Sequence, residues 1–562
     1  MPIPHRSGAN RSILASVVAS STAELLSWGG DSRMIVDPSS GLTRYGTAAE
    51  PWDDIVPLGS CTASTITRGG FQVAVDYHRY LRGMGTGPVL ETALRATSER
   101  IRCEIWRLLT QGAVRGVDIV LTPSGTDAEL LVLALAHGNR RRRIRNIVVG
   151  PGEVGSGTVS AASGWYFDAR IPNDWRAPER PRVPGSAVDP WMAERTTVET
   201  VWLRDVDGRP RDARDLDAEV SQLVREAIGR GESALLHVVA HSKTGVYAPS
   251  WDLVQSLRRE FGETLVVVLD AAQGRMRRAG LVQALRNGWI VLTTGSKFHA
   301  GPPFCGALLV PSSMHPHWRG VARVSEAFGD LFTDDMLPET WTTLRHSLPS
   351  TPNPGLALRW LTAVAHMGSY YAIPPMSRYR RLRAFQRQVS EALEGSPVIE
   401  LATDLIQACH GWENRMAGGT TVFTLSLRRR APSAGCLGME ELQGIHRALN
   451  QDLSPCAPSR GSELQRILAT RFHVGQPVGL GRETRGGPAQ LRIALSATLQ
   501  MRRKWEDPDT ADSVYLPTIL STFRKKLEWI VDHLDLVQKE DVTDTQIVRS
   551  GSGIAPFTGS RP

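Results

Sequence analysis

The sequence predicts an α/β protein: a large domain on a mostly parallel, seven-stranded type of sheet covered by helices, followed by a smaller α+β C-terminal domain. Three observations predict it. Between residues 91 and 345, short β-branched apolar runs alternate with amphipathic helical segments, the signature of parallel strands covered on both faces. After about residue 345 the alternation stops and segments of antiparallel character appear. The chain has 562 residues, too many for one small core and enough for two or more.

Residues 1–90 read as an arm: one helix, then loop-rich sequence with Gly41, Gly46, Gly59, Gly69 and Gly70, and a hydroxyl-rich stretch at 58–65 that is plain loop or the lining of a pocket. From 91 to 109, Leu94, Ile101, Ile105 and Leu108 recur at helical spacing. Strands are expected at 118–121, 147–149, 234–239, 265–269, 290–292 and 306–310, with helices at 126–136, 250–260 and around 281–286. The Pro- and Arg-rich segment 171–190 reads as an excursion from the sheet. A helical region at 356–393 opens the small domain (346–540), with strand-like segments at 420–427 and 490–496 and a closing helix at 516–534. Residues 541–562 read as a disordered Gly/Ser tail.

Hydrophobic content of 41% and charged content of 22% are ordinary for a soluble globular chain. The net charge of +8, from 65 basic and 57 acidic residues, is spread along the chain apart from Arg140 to Arg143, which read as a solvated face. No nucleic-acid partner is indicated. The six cysteines have no paired spacing, so neither a zinc site nor a disulfide framework is expected, and a reducing cytoplasm fits. Arg6, Arg11 and the short apolar run 13–19 imitate a signal peptide faintly but continue as an amphipathic helix. No run has the length of a membrane span.

The chemistry centres on Lys297. Before Lys504 the chain holds only two lysines, Lys243 and Lys297, while arginine carries nearly all other positive charge. Lys297 stands in Thr293-Thr294-Gly295-Ser296-Lys297, between two apolar strand-like runs and ahead of Gly301-Pro302. Burial there lowers a lysine's pKa and frees its amine to attack a carbonyl, as a Schiff-base lysine must. A surface lysine in a hairpin is the alternative. Leu121-Thr122-Pro123-Ser124-Gly125-Thr126 runs from a strand into a helix whose N-terminal amides form a phosphate seat or an ordinary cap. Asp270, in Leu269-Asp270-Ala271-Ala272-Gln273, closes a buried strand at the edge where such sheets place ligands, and a helix N-cap is its alternative role. His241-Ser242-Lys243-Thr244-Gly245 ends another strand, and Lys243 competes with Lys297 as the nucleophile.

Taken in order, Gly125-Thr126, Asp270-Ala271-Ala272-Gln273 and Lys297-x-x-x-Gly301-Pro302 resemble the pyridoxal-phosphate enzymes of the aspartate-aminotransferase fold (fold type I), closest to the class V aminotransferases and cysteine desulfurases. The resemblance spans about 90–310 and continues weakly to about 500. It implies pyridoxal 5'-phosphate as cofactor, with Lys297 as Schiff-base and proton-transfer lysine and Asp270 as the partner of the ring nitrogen. Gly125 and Thr126, with Ser296 or Thr294, would bind the phosphate, while His241 and Gln273 would lie near the ring oxygen. Arg492 would grip the substrate carboxylate through its planar fork, against the alternative of a strand-edge arginine. No metal is implied. The resemblance departs where an aromatic ring usually stacks on the cofactor. Residues 152–158 hold none, which leaves Val154 or Trp165 for that place, and Ser296 stands where a histidine is usual.

A homodimer is implied, with the 58–70 loop and Arg68 reaching over a substrate site. The expected reaction is at the α-carbon of an amino acid: an aminotransferase-like step of specialised metabolism, with β- or γ-elimination or replacement of a C–S lyase or desulfurase kind as the alternative. A decarboxylase and a cofactor-binding regulator are further alternatives, and the arm shows no helix-turn-helix for the latter. Cys456, between Pro455 and Ala457, is a possible sulfur-accepting thiol or a plain loop cysteine.

Overall fold

The computed structural model describes residues 14–536 apart from 53, 139–141, 174–181, 316–320, 322–323, 403–410, 414, 416–419, 431–434, 482–486 and 503–510. Arg140 and Arg141, the middle of the 171–190 excursion and the tail from 541 lie outside the described residues. The strands are β1 (Ile55–Leu58), β2 (Val117–Thr122), β3 (Ile144–Val149), β4 (Thr196–Val201), β5 (Ser233–Ala240), β6 (Tyr247–Ala248), β7 (Leu265–Ala271), β8 (Ile290–Thr294), β9 (Gly306–Pro311), β10 (Ile399–Leu401), β11 (Val422–Leu427), β12 (Arg471–Gly479) and β13 (Ala489–Ala494). The longer helices are α1 (Arg68–Gly83), α2 (Pro88–Thr110), α3 (Gly125–His137), α4 (Ala213–Gly229), α5 (Trp251–Phe261), α6 (Arg278–Arg286), α7 (Pro354–Ala372), α8 (Pro375–Leu393), α9 (Met439–Leu449) and α10 (Ala511–Asp532).

The large sheet runs β2-β9-β8-β7-β5-β3-β4, with the two-residue β6 attached to β5. From β8 to β4 neighbours pair in parallel, and β9 alone runs against both β2 and β8. This is the mostly parallel, seven-stranded sheet that the apolar runs predicted. β5, β8 and β9 are buried along their whole length, which is why they read as continuous apolar runs. β4 is the edge strand: its sequence Thr-Thr-Val-Glu-Thr-Val is only half-buried, and it escapes a search for apolar runs. α3 is buried on every side from Thr126 to His137, so its sequence is apolar all round rather than amphipathic.

The small sheet runs β1-β12-β13-β11-β10, with β1 parallel to β12 and the other pairs antiparallel. Its first strand comes from the arm, more than 400 residues upstream of its neighbour. α8, α9 and α10 cover it, joining Phe385, Leu442, Phe472, Leu491 and Phe523 in one core. The helical region 356–393 is two helices in two cores: Leu356, Trp360 and Met367 of α7 pack in the large core, whereas Leu382, Phe385 and Val389 of α8 pack in the small one. The break falls at Ile373-Pro374-Pro375. Ile373 is extended, as a residue before proline must be, and neither proline can donate to the helical ladder.

The arm is tied to the large domain by a buried arginine. Arg359 of α7 donates from Nη1 to the carbonyls of Leu26 (2.9 Å) and Trp28 (2.6 Å), from Nη2 to Gly29 (3.3 Å) and from Nε to Phe304 (2.7 Å). Burial pulls its pKa down to about 10, so this cation is held by carbonyl dipoles alone. Gly355 lets the arm approach: a Cβ there would lie 2.3 Å from the Trp28 carbonyl oxygen. The arm's next residues are thereby delivered to the carboxyl ends of the parallel strands.

Candidate active site

A cavity of about 550 Å³ opens at those carboxyl ends, between the large sheet, the arm and β12–β13 of the small domain. Gly125, Thr126, His241, Asp270, Gln273, Thr294, Ser296, Lys297 and Arg492 all line it, brought together from segments up to 367 positions apart.

On the large-domain wall, Ser124 caps α3, its Oγ accepting the N–H groups of Thr126 (3.1 Å) and Asp127 (3.2 Å) but not that of Gly125. Gly125 sits close under the cavity floor, where a Cβ would lie 3.3 Å from Leu292 Cδ2. The positive end of α3 lies at the cavity, which Gly125 and Thr126 line, with the Gly125 N–H not taken by the Ser124 cap. Asp270 ends β7 with its carboxylate Oδ1 accepting the Ala272 N–H at 3.0 Å, which fixes the group's orientation. Lys297 follows β8. Burial pushes its amine below the ordinary lysine range; Asp270 opposes that shift, and Arg492 and Arg275 add to it.

Two of the expected residues on this wall are held by hydrogen bonds of their own. The Thr294 hydroxyl donates to the Ala272 carbonyl (2.7 Å), so its proton is engaged, whereas the Ser296 hydroxyl lines the cavity beside the Cys305 thiol, with which it hydrogen-bonds. The amide of Gln273 is engaged at both ends, with Nε2 donating to the Cys61 carbonyl (3.0 Å) and Oε1 accepting from Arg275 (3.3 Å). It links the wall to the arm, and of its two Nε2 hydrogens these bonds use one. His241 does face the cavity, with φ +71°, and burial with nearby Arg275 lowers its pKa to about 3, so it is neutral. Of the two residues left open for covering a ring, Val154 lines the cavity and Trp165 does not; Trp165 is 42% exposed elsewhere.

The opposite wall is built by the arm and the small domain. Arg492 on β13 is 2% exposed. Its Nε and Nη2 donate to the Gln476 carbonyl (2.9 and 2.7 Å), Nη2 to Thr62 Oγ1 (3.0 Å) and Nη1 to the Lys243 carbonyl (3.3 Å). All these partners are neutral oxygens, so the buried guanidinium keeps its full charge for an anion in the cavity. The Gln476 carbonyl is aimed at it by a shift of register between Gly475 and Val478 in the β12–β13 pair, in which Pro477 has no N–H to give. Arg275 staples the walls together, reaching Thr421 Oγ1 (2.8 Å), the Leu495 carbonyl (2.9 Å) and Ser60 Oγ (3.0 Å).

Arg68 and Cys456 do not line the cavity of their own chain. Arg68 begins α1, exposed and away from the cavity of its own chain, and Cys456 lies in a short 3₁₀ turn of the small domain that does not line it. Two thiols line the cavity, Cys61 and Cys305; burial pushes Cys305 up to about 12, and Gly475 makes room for Cys61, 2% exposed: a Cβ at Gly475 would lie 2.2 Å from its Sγ.

Several lining residues carry no sequence signal. Arg33 comes from a short 3₁₀ turn of the arm (Ser32–Met34) and Tyr45 from a turn after it; Arg33 is clamped by Asp31 (2.9 and 3.0 Å) and lies 4.8 Å from the centre of the Phe304 ring. Glu153 underlies the His241–Gly245 turn. It accepts from Ser242 Oγ (2.5 Å), Thr244 Oγ1 and Arg204 Nε (2.6 Å). Burial alone would raise its pKa, but these partners outweigh burial and hold it ionised. The only hint of it was that Gly152-Glu153-Val154 lacked the expected aromatic residue.

Among the described residues no His/Cys/Asp/Glu group could hold a metal ion, and no helix is long and apolar enough to cross a membrane. No protein-family model matches the chain, and no curated protein matches it. Among solved structures it is similar to the apo cysteine desulfurase of Thermococcus onnurineus NA1 (13% identity, 85% of this chain and 95% of that one, TM-score 0.48). It is also similar to a cysteine desulfurase of Escherichia coli (14%, 85% and 96%, TM-score 0.47) and to the cystine C–S lyase C-DES in complex with its product cysteine persulfide (14%, 82% and 97%, TM-score 0.47). At these values the overlap is loose, and the chemistry of the cleft has to be read from its own side chains.

Proposed function

We propose that the chain is a pyridoxal-phosphate-dependent enzyme that labilises the α-carbon of an amino acid and eliminates a group from its side chain. The observation that carries the reading is the convergence of Lys297, Asp270, the N-terminus of α3 and Arg492 on one cavity. The residues fit the cofactor. The helix terminus at Gly125-Thr126, with Ser296, suits a phosphate; Asp270, held by Ala272 N–H, suits a protonated ring nitrogen; and Val154 and Ala272 offer apolar surface to a ring. Bound there, the cofactor would supply an aldehyde for an amine and a cationic ring that draws electrons from the bonds of the α-carbon.

The chain's own contribution follows from the geometry. Desolvation keeps the Lys297 amine available as nucleophile and then as base for the α-proton. Asp270 holds a proton on the ring nitrogen by charge pairing. Arg492, unpaired by any carboxylate in the hydrogen bonds above, binds the substrate's carboxylate and so fixes which face of the α-carbon meets Lys297. The aminotransferase reading uses only these groups. Elimination is supported by what lies beyond them on the substrate side, a second amine (Lys243) and a thiol (Cys61).

The products of S-methyl-L-cysteine incubated with the cofactor-loaded protein test the reading. Elimination yields pyruvate, ammonia and methanethiol in equal amounts, whereas transamination yields a keto acid that keeps its sulfur and no free ammonia. A second reading, transfer of sulfur from L-cysteine to a protein thiol, is favoured by Cys61 inside the cavity. There the Cys61 thiolate would take the substrate's sulfur while the C–S electron pair stays on carbon, and a persulfide found on Cys61 by mass spectrometry would mark it. The homodimer implied by the family resemblance belongs to this proposal and is tested by light scattering.

A further inference from the structure

Lys243 is one of two lysines in the cavity, and the reaction at the α-carbon needs only Lys297. We propose that Lys243 is a second proton-transfer residue, which donates to the leaving group on the substrate side chain while Lys297 works at the α-carbon; this deepens the elimination reading above and rests on it.

The Lys243 main chain lies between the two parts of the cleft: its N–H donates to the Glu153 carbonyl (2.8 Å), beside Val154 on the ring-covering segment, and its carbonyl accepts from Arg492 Nη1 (3.3 Å). The residue is thus held beside the group that would bind the substrate carboxylate and across from Lys297. The turn that carries it is rigid, because Ser242 Oγ accepts the N–H groups of Thr244 (3.2 Å) and Val246 (3.1 Å) while donating to Glu153 (2.5 Å). The amine itself makes one long contact, 3.4 Å to the Gly152 carbonyl, which a substrate atom can replace.

The charged groups facing it are Arg492 from β13, Lys297 from the β8–β9 connection and Glu153 from the segment after β3. Glu153 is already matched by Arg204, Ser242 and Thr244, so it compensates an ammonium only in part. Burial and the two cations bring the amine to about 7, where it gives and takes a proton with equal ease. In the step proposed, the Cα–H electron pair forms the Cα–Cβ double bond as Lys297 takes the proton. The Cβ–S pair leaves with sulfur, and the Lys243 ammonium protonates that sulfur. The neutral Lys243 amine then recovers a proton from water.

Two measurements test the proposal. The chain has six lysines, so [ε-13C]lysine labelling of the cofactor-free protein can be assigned by substitution: a resonance that titrates near pH 7 should be missing from Lys243→Gln and kept in Lys526→Gln, which removes the other lysine that burial brings to about 7. An ordinary titration above pH 9 for that resonance would overturn the proposal. In the cofactor-loaded protein, turnover of S-methyl-L-cysteine, whose thiolate needs a proton, is compared with turnover of β-chloro-L-alanine, whose chloride needs none. Lys243→Gln and Lys243→Arg should lower the ratio of the two kcat/KM values about a hundredfold. An unchanged ratio, with both substrates slowed equally, would make Lys243 merely structural and sink the idea. If the unmutated protein eliminates from neither probe, the elimination reading itself falls, and that failure appears before any variant is made.

Discussion

The two walls of the cleft are built differently. The large-domain wall takes each functional residue from a compact stretch at the end of a parallel strand: Gly125-Thr126 after β2, Asp270 on β7 and Lys297 after β8. The opposite wall is assembled from Arg33, Tyr45, Cys61 and Thr62 of the arm and Gln476 and Arg492 of the small domain, through a strand pairing between residues 55–58 and 471–474. A local turn can be read along the chain, because strand, turn and helix each leave a pattern there. A wall made by long-range pairing leaves none until the fold is known.

Four substitutions or conditions would break or sharpen this comparison. The largest effect belongs to the large-domain wall. Asp270→Asn removes the charge that holds a proton on the cofactor ring, and steady-state kinetics should show kcat lower by at least about a hundredfold with the fold intact by circular dichroism. On the other wall, Arg492→Lys keeps a positive charge but loses the fork held by Gln476, Thr62 and Lys243. It should raise KM by roughly ten- to a hundredfold while leaving cofactor binding unchanged. A rise in both constants together would mean that the two walls are not separable.

Acid should act on the large-domain side through His241, whose folded pKa of about 3 lies below its ordinary 6.5. Between those values the unfolded chain binds a proton that the folded chain does not, so this contribution to stability is present above pH 6.5 and is lost as pH falls. Denaturant unfolding at pH 6.5 and 5 should show His241→Gln losing less stability than the unmutated protein, by about 1–2 kcal/mol. The smallest effect is expected at Arg68. It is exposed at the start of α1, and Arg68→Ala should change kcat/KM by less than about twofold. A large loss there would place the arm of a second copy over the cleft.

Much of the fold was legible because burial forces apolar continuity: β5, β7, β8 and β9 are nearly uniformly apolar and nearly uniformly buried. β4 and β1 were not legible, one because an edge strand needs only half its residues apolar, the other because four residues in a loop-rich arm become a strand only against β12. The same division holds in the site. Asp270 and Lys297 were found by position along strands. Gln273 and Thr294 were found too, but their hydrogen bonds to Cys61, Arg275 and Ala272 are tertiary facts that no local spacing encodes. Cys61 of the hydroxyl-rich arm stretch reaches the cavity and the loop of Cys456 does not, because β1 carries that stretch against β12, where Gly475 leaves space for it.

The central claim is that Lys297 is the covalent anchor of pyridoxal 5'-phosphate, and an absorbance titration tests it most directly. The purified protein mixed with the cofactor should develop a yellow band that survives removal of free cofactor, persists in Lys243→Gln and is absent from Lys297→Ala. A protein that stays colourless, or a band that Lys297→Ala keeps and Lys243→Gln loses, would contradict the account.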